Sequence, residues 1–249
     1  MFDAHLHGPI AALGSLPDRF SGMVASSGPD DWNHCITEPM PRGFIPMFGL
    51  LPQEYYTYDL PTVLQSIIPA MHRLLQEHPG SGIGEIGLDA RFTRSTPMEM
   101  QKTICLELID LARQHKVPVA FHAAACDGTM VALIRQNHPD VPMIWHGFLG
   151  SPETAKILHD LGCIVSIGPS VWRPKTKLQQ KLRQLEVPFF LETDYPWHYR
   201  LPGEDLLSYP ETLVRHYERC AIALSLTIEQ LETQCDGIAK VFTNFTTHR

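Results

Sequence analysis

Five separated stretches of the chain carry the side chains best suited to chemistry. Asp3-Ala4-His5-Leu6-His7 sets two imidazoles two residues apart, and Gly84-Glu85-Ile86-Gly87-Leu88-Asp89 plants a carboxylate in an apolar run. His122 ends Pro118-Val119-Ala120-Phe121-His122, His146 ends Pro142-Met143-Ile144-Trp145-His146, and Asp194 ends Phe189-Phe190-Leu191-Glu192-Thr193-Asp194. If the apolar runs are strands, residues two apart share a face, so His5 and His7 project together. His122 and His146 each lie four residues after a proline, and Asp194 lies six after Pro188. These even offsets predict a common parity for the three side chains.

Taken singly, each has a bland reading. A strand-end histidine is more often a hydrogen-bonded core residue than a ligand, a lone Glu85 reads as a structural carboxylate, and a lone Asp194 as a turn cap. Four imidazoles and two carboxylates converging on one apolar spot are another matter. Burying them uncompensated is costly, and a bound cation removes much of that cost. Metal binding is therefore the expected chemistry of His5, His7, Glu85, His122, His146 and Asp194. Asp3 is expected to orient a histidine or tie down the strand. Cys126, four residues past His122, reads as an inert thiol. His72, His78, His115, His138 and His159 sit on helices or their ends and read as solvated or near-terminal cations.

The elements that must position these groups are strands. Val117-Pro118, Val141-Pro142 and Val187-Pro188 each precede a short apolar run. Proline is tolerated at a strand's first residue and disfavours helix before it. Continuous apolarity suits parallel strands covered on both faces. Further strands are predicted at 2–7, 22–26, 43–49, 82–86 and 163–167, making eight, with helices between most of them. The best helix runs from 97 to about 115, where Thr96-Pro97-Met98-Glu99 predicts a capping box. Ser151-Pro152 and Thr227-Ile228-Glu229-Gln230 open others, and 60–78 is helical with a kink at Pro69. The pattern predicts a single-domain (β/α)₈ TIM barrel over 1–249, with an open doubly wound sheet as the alternative. The connections 8–21 and 27–42 have room only for short helices, so the barrel is shortened there. In a barrel the C-terminal strand ends form one mouth, and the candidate ligands lie at those ends.

Composition narrows the classes further. The 249 residues are 44% hydrophobic and 19% charged, enough for a large core, and the formal net charge is −7. No basic coat for nucleic acid exists, so any such contact must be local. No targeting segment is visible, no apolar stretch approaches the ~18 residues of a membrane span, and the 6 cysteines never form C-x-x-C. Reduced thiols and a cytoplasmic location are the expectation. Nothing in the sequence speaks to oligomeric state.

The motifs D-x-H-x-H, G-E-I-G-L-D, P-V-x-x-H, H-G-F-x-G and E-T-D-x-P, spread over residues 3–196 in this order, resemble those of the TatD family. Those proteins are metal-dependent hydrolases of the amidohydrolase superfamily, often named as deoxyribonucleases. The resemblance implies a (β/α)₈ barrel with one or two divalent ions (Zn, Mn, Mg or similar). It implies one metal on His5, His7, Glu85 and Asp194 and a second on Glu85, His122 and His146, bridged by Glu85. Other branches bridge with a carboxylated lysine at the fourth strand; this chain offers Glu85. Metal-assisted hydrolysis follows, with a metal-activated water and with Asp194 and Glu85 as the catalytic carboxylates, Asp194 taking the water's proton.

The chain also departs from the family pattern. His122-Ala123-Ala124 stands where relatives have a histidine followed by x-R, an arginine expected near the substrate phosphate. Gly49-Leu50-Leu51-Pro52 stands where relatives have G-I-H-P, and a family asparagine has no counterpart near Cys235-Asp236-Gly237. Beyond the seventh and eighth strands, Trp172, Arg173 and Lys175, then Trp197 and Arg200, interleave aromatic and basic residues, as in sites that stack bases and neutralise phosphates. A packed loop and a solvated helix start are the competing reading. Three functions stay open: a nuclease acting on DNA or a small phosphoester, a hydrolase of a small amide or lactone, and a silent binding protein. The complete ligand set argues against the last.

Overall fold

The structure, a computed structural model, describes residues 1–247, with side chains through 242. Its strands are β1 (Phe2–His7), β2 (Ser21–Ala25), β3 (Phe44–Leu50), β4 (Gly82–Asp89), β5 (Val119–Ala124), β6 (Met143–Trp145), β7 (Cys163–Ile167) and β8 (Phe189–Leu191). All are parallel, and each is hydrogen-bonded to the next in chain order. Between and after them come α1 (Pro29–Thr37), α2 (Leu60–Thr62), α3 (Ile68–Glu77), α4 (Met98–His115), α5 (Asp127–Gln136), α6 (Pro152–Asp160), α7 (Lys177–Lys181), α8 (Tyr209–Leu224) and α9 (Ile228–Thr247). This is the (β/α)₈ barrel. The β1–β2 connection holds only a short 3₁₀ turn, Ile10–Leu13, so the barrel is shortened there as expected.

The strand-opening prolines work as their chemistry requires. Pro118 and Pro142 donate nothing, but their carbonyls accept from Ile83 N–H and Val119 N–H at 2.9 Å each. β1 and β4 are buried along their whole length, so Asp3, His5, His7, Glu85 and Asp89 are polar groups held inside the fold. Near Pro69 the helix widens. Val63–Ile67 forms a π turn in which Ile68 N–H reaches back to the Val63 carbonyl, just before the residue that lacks a donor.

The expected capping box at Thr96 does not form. Pro97 is the N-cap of α4, and Thr96 Oγ1 is buried without a partner. The Gln101 side chain takes over the corner instead. Its Nε2 donates to the Thr96 and Asp89 carbonyls (2.9 and 3.1 Å), and its Oε1 accepts from Asp89 N–H (2.8 Å). The S-x-x-E that does close is Ser208–Glu211, at the start of α8. His115 also departs from expectation. It is buried, and its Nε2 lies 2.8 Å from His72 Nδ1 where α4 meets α3.

The first and last strands meet without a ladder of their own among the described residues. Asp3 joins them instead. Its Oδ1 accepts from Thr193 N–H (2.9 Å) and its Oδ2 from Thr193 Oγ1–H (2.7 Å). Asp194 N–H donates to the His5 carbonyl (2.8 Å) and His7 N–H to the Tyr195 carbonyl (2.7 Å). α8 and α9 cover this seam. Tyr217 donates to the Phe2 carbonyl (2.7 Å), and Phe2, Phe190 and Phe242 pack ring to ring at 5.1 and 5.6 Å. Each such buried phenylalanine contributes about 1.5–3 kcal/mol. All six cysteines are unpaired, and no helix among the described residues is long and apolar enough to cross a membrane.

Candidate metal centre

Glu85 occupies the middle of the mouth because β4 carries one extra residue relative to both neighbours. Phe48 pairs with Ile83 and Leu50 with Ile86; Ile83 pairs with Val119 and Ile86 with Phe121. The surplus residue lies at Gly84–Glu85, a bulge that re-aims a side chain. Gly49 makes room for it. Across β3, Glu85 N–H donates to the Ser26 carbonyl (3.1 Å) and Ser26 N–H to the Gly84 carbonyl (3.4 Å). A Cβ on Gly49 would fall 2.0 Å from Ser26 O and 2.4 Å from Glu85 N.

The six candidate ligands converge, each carboxylate oxygen of Glu85 facing a different set. Oε1 lies 3.4 Å from His7 Nε2 and 3.6 Å from His5 Nε2. Oε2 lies 2.7 Å from His146 Nε2 and 3.1 Å from His122 Nδ1. Within the first set the two Nε2 atoms are 3.2 Å apart, and Asp194 Oδ1 is 3.4 Å from His7 Nε2 and 4.0 Å from His5 Nε2. Within the second, His122 Nδ1 and His146 Nε2 are 3.0 Å apart. Asp194 arrives by a different route from the one its parity suggested. β8 stops at Leu191, and Asp194 sits in a left-handed conformation, φ 57°, pinned by its bond to His5.

Donor atoms of His5, Glu85 and His146, and of His5, His7 and Asp194, lie within 4.8 Å of one another, close enough to share an ion. Bonds of ~2.0–2.2 Å in a tetrahedral shell place neighbouring donors about 3.3–3.5 Å apart. The electrostatics agree. Burial alone would push the Glu85 carboxyl up, but His146, His5 and His122 outweigh it and hold it well below the usual carboxylate range. Burial would likewise lower His146, yet Glu85 and Glu192 raise it well above the ordinary histidine value. Asp194 is held low against its burial by His7, His146 and His5. Lone-pair donors packed this tightly are satisfied by protons or by a metal ion.

Several acids surround the cluster; Asp89 and Glu192 stood in the sequence only as letters of a motif, whereas Asp3 was expected to tie down its strand and does so. Asp89, fully buried, has Oδ2 3.3 Å from His122 Nε2 and is gripped by Arg91 Nε (2.9 Å to Oδ1) and Nη2 (2.5 Å to Oδ2). That contact leaves His122 Nδ1 for the centre. Glu192 accepts from Gly147 N–H (2.7 Å), is hydrogen-bonded by Ser166, and lies 3.7 Å from His146 Nδ1. Asp3 accepts from His5 N–H (3.1 Å), and burial pushes its carboxyl up to about 7. Cys126 is half-buried and donates to the Leu88 carbonyl (3.3 Å).

The mouth opens into a cavity of about 310 Å³ walled also by Ser27, Leu51, Gln53, Glu54 and Trp197. Of the five substrate candidates, only Trp197 lines it, with 75% of its surface exposed. Trp172 turns into the fold, where its Nε1–H donates to His216 Nδ1 (3.3 Å). The Arg173 guanidinium lies over the Tyr199 ring, 5.1 Å from its centroid. Lys175 is exposed at a left-handed turn, and Arg200 faces a separate cavity.

His216 itself donates from Nε2 to the Ile167 carbonyl (2.7 Å), so it is neutral, and burial pushes its pKa down to about 4. The unfolded chain therefore binds the extra proton between pH 6.5 and 4, and stability falls as pH drops through that window. Unfolding in urea should show this group contributing a loss of about 2 kcal/mol between pH 7 and pH 5. His216→Gln should flatten that part of the slope; an unchanged slope would place the titration elsewhere.

Comparisons with known proteins bear on this geometry. Residues 23–244 match the profile of the TatD related DNase family. The protein named "Uncharacterized metal-dependent hydrolase YcfH" of Escherichia coli strain K12 is 27% identical over 176 residues, 69% of this chain and 66% of that one. The protein named "3'-5' ssDNA/RNA exonuclease TatD" of Klebsiella pneumoniae strain 342 is 30% identical over 145 residues, 56% of this chain and 53% of that one. These matches thus span about two thirds or less of the relatives' own length. The crystal structure of the TatD homologue YjjV from Escherichia coli superposes with a TM-score of 0.79 at 18% identity, covering 98% of this chain and 97% of that one, so the barrel is shared. With its profile matched across nearly the whole length, the chain belongs to the TatD related DNase family.

Proposed function

We propose that the protein is a divalent-metal-dependent hydrolase that cleaves phosphodiester bonds, with nucleic acid as its substrate class. The observation that carries this reading is the divided role of Glu85, one oxygen toward His5 and His7 and the other toward His122 and His146. The strands of the whole chain feed one mouth, which supports residues 1–249 acting as one catalytic unit. The name of the Klebsiella relative supports the substrate class.

His5, His7, Glu85 and Asp194 would hold one cation, and Glu85, His122 and His146 a second. Four imidazoles favour Zn²⁺ or Mn²⁺ over Mg²⁺, which prefers oxygen ligands. Bound there, the metal supplies Lewis acidity and a water acidified from 15.7 toward about 7. Asp194 is ionised, faces the cavity and stands beside His7, so it accepts the water's proton and passes it toward the leaving group. Asp89 keeps the His122 imidazole in its tautomer, and the Glu192 carboxylate stands 3.7 Å from His146 Nδ1. Trp197 offers an exposed ring on which a base can stack.

A second reading has one observation in its favour. No lysine or arginine is among the residues walling the mouth cavity, and Ala124 stands where a family arginine is expected. A small amide or lactone would suit such a wall. Assays on single-stranded DNA, a phosphodiester dye and a lactone panel, with Zn²⁺ or Mn²⁺ added, separate the two. Asp194→Asn should lower kcat on the phosphodiester about 10²–10⁴-fold with little change in KM. Lactone turnover without phosphodiester turnover would replace the first reading with the second.

A further inference from the structure

The connection from β8 to α8 has two sides. Trp197 faces the metal mouth, and the next residue, His198, faces a second and smaller cavity against α8. On α8, Thr212, Arg215, His216 and Arg219 follow helical spacing and line that cavity together. Arg200 closes it from the connection.

The charges there are unequally matched. Glu204 is committed to Arg219 and to Leu201 N–H (2.7 Å). Arg215 lies near enough to Glu204 and Glu211 to favour their ionised forms, but among the described residues neither it nor Arg200 closes a salt bridge, and Asp205 is the other carboxylate on the wall. His198 Nδ1 is buried with no hydrogen-bond partner. Two guanidiniums, each able to fork onto an oxyanion, thus face one small space beside an unsatisfied imidazole nitrogen.

Charge decides the ligand class. The enclosed part of the cavity is about 30 Å³, two to three times the roughly 10–15 Å³ that one water needs. A small oxyanion matches the arginines at its rim. We propose that this cavity is a phosphate pocket, and that it takes a phosphate group of the substrate one step beyond the bond cleaved at the metal centre. The adjacency of Trp197 and His198 supports that order, because it sets the two cavities on either side of one short connection. The placement rests on the phosphodiester reading; the pocket itself does not.

Two measurements on the full, metal-loaded chain test it. In equilibrium dialysis against inorganic phosphate, Arg215→Glu should bind one phosphate per chain fewer than the wild type, and Arg215→Lys should retain it. In kinetics, a dinucleotide with one phosphodiester is compared with the same dinucleotide carrying a further terminal phosphate. The added phosphate should lower KM about tenfold in the wild type, and Arg215→Glu should erase that difference. An unaltered phosphate count in Arg215→Glu overturns the pocket. A lost phosphate without any KM gain assigns the pocket to free phosphate and overturns its role in substrate binding. If neither dinucleotide is cleaved by the wild type, the phosphodiester reading fails, and the dialysis count decides the pocket alone.

Discussion

Glu85→Gln should cost about 10³-fold or more in hydrolysis and release most of the bound metal. The amide keeps the shape but surrenders the charge and one of two acceptor oxygens, and each of those oxygens faces a separate pair of imidazoles. Lewis-acid stabilisation is worth several kcal/mol, and every 1.36 kcal/mol is a factor of ten in rate. A substitution at His7 or His122 removes a donor from one side of Glu85 only and should leave partial metal content. Elemental analysis of the purified variants beside their kcat values checks this ordering. Glu85→Gln with full metal content would mean that the carboxylate does not join the two sets.

The second large effect should come from a residue that offers no donor atom to a metal. Gly49→Ala places a methyl against two backbone atoms, Ser26 O and Glu85 N, neither of which can rotate away. Either β3 withdraws or the hydrogen bonds between Ser26 and Gly84–Glu85 break. Overpacking of this kind against fixed backbone should destabilise the fold by about 3 kcal/mol or more. The loss should appear in urea unfolding, and the surviving folded protein should bind metal weakly because Glu85 is displaced. A wild-type midpoint for Gly49→Ala would mean that β2 and β4 do not meet across β3.

The candidate ligands were legible in the sequence because they interrupt apolar runs, where a charged or imidazole side chain has no packing reason to be. The strands were legible because proline marks their starts and parallel pairing demands continuous apolarity. The parity reasoning succeeded for His122, which lies in β5. It reached Asp194 by an accident of counting, since that residue is three past the end of β8 and is aimed by a left-handed turn. Local spacing cannot foresee such a turn, because the bond that fixes it comes from His5 at the other end of the chain. Thr96 misled for a similar reason. Its capping pattern was sound, but Gln101 bound the corner first. The phosphate pocket was out of reach altogether, because Arg200 and Arg215 become neighbours only after α8 folds back on the β8 connection.

The seam between β1 and β8 has a mechanical consequence. The barrel is a bracelet rather than a hoop, with His5 and His7 on one edge of the gap and Asp194 on the other. An ion gripping all three would be its buckle, tying together residues nearly two hundred apart, as a disulfide across the same span would. Stripping the ion should let the amide protons of His7 and Asp194 exchange with solvent well before those of β3 to β5, whose ladders do not depend on the buckle.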